Sequence, residues 1–170
     1  MKILCQFTLI IAMLMSFSCK KNDQFLMEMP YIETFSVNAG LNSLETWFFN
    51  IKDIRSNRAD LLNANGIDES EITKINPGRA KLLNVLGGND YENIEKISIH
   101  IFKDDPKKAK EIFYRDNVPT NTGSELELIA TLVDLNDIAI DDFNIYVKIK
   151  FRNPPAVSFE SRVEFSFLVL

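Results

Sequence analysis

The chain of 170 residues carries 24 acidic and 19 basic side chains, a formal net charge of −5, and is long enough to bury one substantial core. That balance, with no basic stripe (the densest set, Lys103, Lys107, Lys108 and Lys110, is broken by Asp104 and Asp105), excludes binding to a phosphate backbone. Both cysteines, Cys5 and Cys19, fall in the first nineteen residues, so the rest of the chain has no internal disulfide, thiolate metal site or thiol nucleophile.

The chain opens with Met1-Lys2, an apolar run from Ile3 to Phe17, and then Ser18-Cys19-Lys20-Lys21. As a helix the apolar run rises only about 22 Å, short of the roughly 30 Å of a bilayer core, so it reads as a signal peptide over 1–18 and not as a membrane span. Small Ser18 precedes Cys19, and Lys20, Lys21, Asn22, Asp23 and Gln24 follow it. Over residues 1–24 the chain resembles bacterial lipoproteins of the Bacteroidota type. The resemblance implies a lipid on the sulfur of Cys19, attachment to a membrane through that lipid, and a place in the cell envelope at the outer membrane. A soluble secreted or periplasmic protein, cut after Ser18 by ordinary signal peptidase with Ser16 and Ser18 as the small-x-small pair, is the alternative.

Residues 19–30 read as a lipidated tether and 31–170 as the folded domain. Tyr31 to Val37 has extended character, with Asn38-Ala39-Gly40 as turn chemistry after it. Leu44 to Ile54 is a strand with Trp47, Phe49 and Ile51 on the core face and Phe48 on the other. Ser56 or Asn57 is placed to cap a short helix that Gly66 stops. Glu71 to Asn76 and Arg79 to Leu86 read as two strands parted by Pro77-Gly78, the second ended by Gly87-Gly88. Ile97, Ile99 and Ile101 alternate with Ser98, His100 and Phe102 in a clear strand. Glu111 to Arg115 and Glu125 to Thr131 follow as strands, around a loop at 117–123. Val133 to Ile140 suggests a single helical turn capped by Asp134.

The final two strands have the cleanest period of two. Phe143, Ile145, Val147, Ile149 and Phe151 alternate with polar residues and with outward Tyr146, and Val163, Phe165, Phe167 and Val169 do the same. Outward Lys148 and Lys150 are expected to pair with Glu164 across these strands. Many short strands, turn signals and no strand–helix alternation predict a mainly β chain, an antiparallel β-sandwich of about 7–9 strands with one or two short helices. The alternative is an α+β domain with a single open antiparallel sheet.

Chemistry is scarce in this pattern. His100 is the only histidine, and there is no G-x-S-x-G, H-E-x-x-H or glycine-rich nucleotide loop. The acids Asp104, Asp105, Asp134, Asp137, Asp141 and Asp142 lack the spacing of a calcium loop and read as solvated loop residues. No catalytic residue, metal or cofactor is therefore expected, and the function expected is a non-enzymatic, lipid-anchored binding or scaffolding module of the envelope. Outward-pointing Phe48 and Tyr146 are the candidate contact residues, toward an envelope protein or a glycan. The alternatives are a carbohydrate-binding accessory lipoprotein and a hydrolase using carboxylates alone.

Overall fold

The computed structural model describes residues 25–87, 91–139 and 141–170. The segment read as signal peptide, Cys19 and the segment read as tether as far as residue 24 lie outside these, as do Gly88 and Ile140. The elements are β1 (Met27–Val37), β2 (Thr46–Ile54), α1 (Arg58–Asn65), β3 (Ile75–Leu86), β4 (Ile94–Phe102), β5 (Lys110–Arg115), β6 (Glu125–Ala130), β7 (Phe143–Phe151) and β8 (Phe159–Val169). All eight strands pair antiparallel in the order β1-β8-β3-β6-β5-β4-β7-β2.

The sheet is mainly β and nearly closed, a sandwich-like barrel. One short strand makes the turn between its two halves. β6 gives Leu126 and Leu128 to β3, and Ile129 and Ala130 to β5. The open single-sheet alternative does not describe it, because β1 and β2 at the two ends of the order approach each other.

Alternation drives the closure. Every inward residue of β7 is buried to 1% exposure or less, and Val163, Phe165, Phe167 and Val169 of β8 to 3% or less. Each such side chain taken from water contributes about 1.5–3 kcal/mol. Tyr31 lies among Phe143, Phe165 and Phe167, with ring centroids 5.0–5.3 Å away. Its hydroxyl donates to the Ser56 carbonyl at 2.8 Å, and burial raises its pKa well above the ordinary tyrosine value.

The structure corrects several sequence expectations. The sheet begins at Met27, inside the segment read as tether, because Met27 and Met29 pair with Val169 and Phe167 and are buried. The strand expected over Glu71–Asn76 starts only at Ile75. Before it, Asp68 and Glu71 form a reciprocal cap, with Asp68 accepting from Ser70 N at 2.8 Å and Glu71 from Asp68 N at 3.0 Å, which holds Glu69–Glu71 in a 3₁₀ turn.

Pro77-Gly78 does not end a strand. It is a bulge within β3, where the register with β8 steps from Pro77↔Phe167 to Ala80↔Phe165. Gly78 is required there, since a Cβ would stand 2.7 Å from Ser166 Oγ.

α1 has no side-chain cap. Asn57 sits at φ 52°, and Ser56 instead donates to the Ala139 carbonyl at 2.7 Å. Gly66 does stop the helix, at φ 66°. The turn after Asp134 forms as well, with Ile138 N and Ala139 N donating to the Leu135 carbonyl and Asp134 accepting from Asn136 N at 3.0 Å. The Lys148/Lys150–Glu164 pairs do not form, because β7 lies between β4 and β2 while β8 lies between β1 and β3. Lys150 meets Glu95 at 3.0 Å, and Glu164 meets Lys81 and Arg162.

The face assignment of β7 is directly testable. Val147→Asp buries an unpaired carboxylate at a position with no exposure. The cost of several kcal/mol is comparable to the stability of a domain, so this variant is expected to unfold. Lys148→Asp, on the outer face, is expected to cost under about 1 kcal/mol in urea denaturation. Equal loss in both would reverse the faces.

Candidate functional site

The two halves of the barrel differ on their outer surfaces. On the half built from β2, β7, β4 and β5, the register places Asn50 opposite Tyr146, Phe48 opposite Lys148, Tyr146 opposite His100, and His100 opposite Glu111. The outward residues of three adjacent strands thereby form an aromatic row. Phe48, 56% exposed, meets Tyr146 edge-on at 5.6 Å between centroids. Tyr146 in turn stacks on His100 at 4.7 Å and 16°, and Phe102 lies 6.0 Å from Tyr146. The Lys148 ammonium stands 5.9 Å from the Phe48 centroid, within cation–π reach.

Both residues singled out from the sequence, Phe48 and Tyr146, thus belong to one site, and Cys19 lies outside the described residues. Sequence reading missed His100, Phe102, Glu111 and Lys148 as members. The outward phase of His100, Phe102 and Lys148 was legible, whereas Glu111 reaches this face through a register shift between β4 and β5, and the neighbour relation of β4, β7 and β5 is a tertiary fact. Phe102 is buried yet faces outward beneath Tyr146, apart from the core cluster.

The polar groups around His100 invite comparison with a catalytic triad. Ser98 Oγ shares a hydrogen bond with His100 Nε2 at 2.9 Å, and Glu111 Oε2 lies 3.5 Å from the same nitrogen. A triad needs the acid on one ring nitrogen and the nucleophile on the other. Here both crowd Nε2, and Ser98 is only 1% exposed. The set orients the imidazole against Tyr146 and leaves no serine free to attack. Burial holds the His100 pKa below the usual histidine value, opposed by Glu111 and assisted by Lys148. Burial and the nearby Glu111 raise that of Tyr146.

On the opposite half of the barrel, a cleft of about 530 Å³ is bordered by Glu28, Arg79, Lys81, Glu125, Glu127 and Glu164. Its carboxylates are interleaved with cations: Glu28 pairs with Arg79 at 3.2 Å, and Lys81 with Glu125 at 3.2 Å and Glu164 at 3.7 Å. A general acid for glycoside hydrolysis must be held protonated by apolar surroundings or a like charge, and a paired cation does the reverse.

The loop acids are also engaged. Asp137 pairs with Lys110 at 2.8 Å, Asp141 with Lys103 at 2.6 Å, and Asp105 accepts from Lys107 N at 2.9 Å. Among the described residues no group of three or more His, Cys, Asp or Glu side chains is arranged to hold a metal ion, and no helix is long and apolar enough to cross a membrane.

No protein-family model and no curated protein matches the chain. Solved structures share a slight overall likeness. The structure of tomato aspermy virus has a TM-score of 0.35 at 10% identity, covering 95% of this chain and 93% of that one. Desmodium yellow mottle tymovirus has 0.28 at 11% identity, covering 84% and 87%. The P-domain of Macrobrachium rosenbergii nodavirus has 0.28 at 6% identity, covering 84% and 93%. Likeness at this level carries no argument about activity.

His100 gives the site a pH signature. Its folded-state pKa is depressed, so the unfolded chain binds the proton more readily, and its contribution to stability is present above about pH 6.5 and lost as pH falls. His100→Gln removes the titration while keeping a polar partner for Ser98. The stability advantage of the wild type over this variant, from urea unfolding at pH 7.5 and pH 5, is expected to shrink at the lower pH. Glu33, whose carboxyl is raised by burial, works in the opposite sense but equally in both proteins, and cancels in the difference. An advantage that grows on acidification would show that His100 is held charged.

Proposed function

We propose that this chain is a lipid-anchored protein of the cell envelope whose folded domain is a binding module without catalytic chemistry, making contact through the outer face around Phe48 and Tyr146. The observation that carries the binding reading is the aromatic row itself. More than half of Phe48 stays in water, although the core has taken most of the aromatic rings of the strands. An exposed ring with a polar rim marks a contact surface in a way that scattered aliphatic residues do not. The anchoring reading rests on the leader and Cys19.

Among ligands, a glycan suits this surface best. Aromatic faces accept the C–H side of a sugar ring, while Asn50, Tyr146 and Thr46 on the same face offer hydrogen-bonding groups to its hydroxyls. This is the accessory carbohydrate-binding reading, now attached to a defined surface.

Two measurements test the proposal. In a bacterial host that processes lipoproteins, the wild type is expected to partition into detergent and incorporate labelled fatty acid. Cys19→Ser is expected to appear in the soluble fraction or persist as uncleaved precursor. Identical fractionation of the two would reduce the protein to a secreted one. Separately, affinity electrophoresis through gels cast with polysaccharides is expected to retard the wild type on at least one, with Phe48→Ala weakening retention about tenfold, the loss of one hot-spot contact. Retention unaffected by Phe48→Ala would move the contact surface elsewhere.

A further inference from the structure

We propose that the ligand of the aromatic face is an acidic polysaccharide, one bearing carboxylates on its sugar rings, with Lys148 as the residue that selects for the charge. The inference rests on the glycan reading above and adds the sign of the ligand's charge to it.

The argument comes from which lysines on this face are already neutralised. Lys96 is paired with Asp116 at 2.6 Å and Lys150 with Glu95 at 3.0 Å. Lys148 and Lys52 have no ion-pair partner among the described residues, although the chain as a whole is acidic. Lys148 does not wander free of the site. It stands opposite Phe48 in the register, with its ammonium 5.9 Å from that ring. Lys52 lies two residues beyond Asn50 on β2, one strand step of about 7 Å.

A sugar ring resting against Phe48 therefore brings its substituents to Lys148. A neutral sugar would leave that cation with a ring quadrupole as its only nearby partner, whereas a ring carboxylate would complete a charge-assisted hydrogen bond. The single acid of the row, Glu111, stands beyond His100, three strands away from Phe48, and faces the imidazole. The cationic end and the acidic end of the row are thus separated, and Tyr146 lies between them.

Charge alone would attract any polyanion, so the test must separate a stacked uronate from simple ion exchange. Affinity electrophoresis is run with polygalacturonate, alginate and hyaluronan, with neutral dextran and xylan, and with poly-glutamate as an anion lacking sugar rings. The proteins are the wild type, Phe48→Ala, Lys148→Gln, and Lys107→Gln as an exposed lysine outside the outward row, in the β4–β5 connection.

The expected result is retention on at least one acidic polysaccharide that exceeds retention on the neutral gels and on poly-glutamate tenfold or more. Phe48→Ala and Lys148→Gln should each reduce it about tenfold. Lys107→Gln should leave it unchanged, and added salt should weaken the wild type more than Lys148→Gln. Retention on a neutral polysaccharide that depends on Phe48 and ignores Lys148 overturns the acidic-ligand inference and leaves the glycan reading standing. Equal retention on poly-glutamate, or equal loss with Lys107→Gln, overturns it as ion exchange. No retention on any polysaccharide overturns both readings together. Circular dichroism of the variants checks folding, which is expected to stay intact because none of the substituted side chains belongs to the buried core.

Discussion

β7 is the strand on which the two surfaces of this barrel are referred to one another. It lies between β2 and β4, and its inward residues, from Phe143 to Phe151, are buried almost without exposure. The side-chain period of a strand is two, so a slip of one residue would exchange this apolar set with Tyr146, Lys148 and Lys150. The free energy of burying five large side chains therefore fixes the outer face as firmly as the inner one. Tyr146 meets His100 and Asn50 because Ile145 and Val147 have nowhere else to go. No interaction on the outer face has to be strong for its geometry to be well defined.

Much of the fold was legible in the sequence for the same reason. Strands that read as alternating, such as Ile97–Phe102, Phe143–Phe151 and Val163–Val169, lie where the alternation placed them, with the faces it assigned. Gly66 and Asp134 act locally as their chemistry indicates. What failed was punctuation. Pro77-Gly78 looked like a strand end, but a bulge accommodates proline and lets β3 run on past it. Met27 and Met29 looked like tether because Phe25 and Leu26 interrupt their period, and only pairing with β8 reveals them as core.

The candidate site was half legible. Phe48 and Tyr146 could be recognised as outward aromatics from their phase, yet whether they touch depends on β2 lying beside β7, a neighbour relation across nearly one hundred residues of sequence. The same limit misplaced the expected Lys148 and Lys150 pairs with Glu164. Consecutive strands β7 and β8 invited pairing, but they belong to opposite halves of the sheet order. His100 was correctly placed on a strand face, while its stacking on Tyr146 required the β4–β7 register.

The pairing of Met27 with Val169 also has a practical side. Both ends of the described chain leave the barrel at the same pole, while the turns at 38–45 and 152–158 lie at the other, where Gly40 N donates to the Pro155 carbonyl at 2.9 Å. A fluorescent protein or affinity tag fused after Leu170 would emerge beside the segment leading back to Cys19. Any such label would crowd the surface at the pole where the N-terminal segment enters the barrel. An insertion at the far pole, in the turn around Asn38-Ala39-Gly40, would carry the same cargo outward and leave that surface clear.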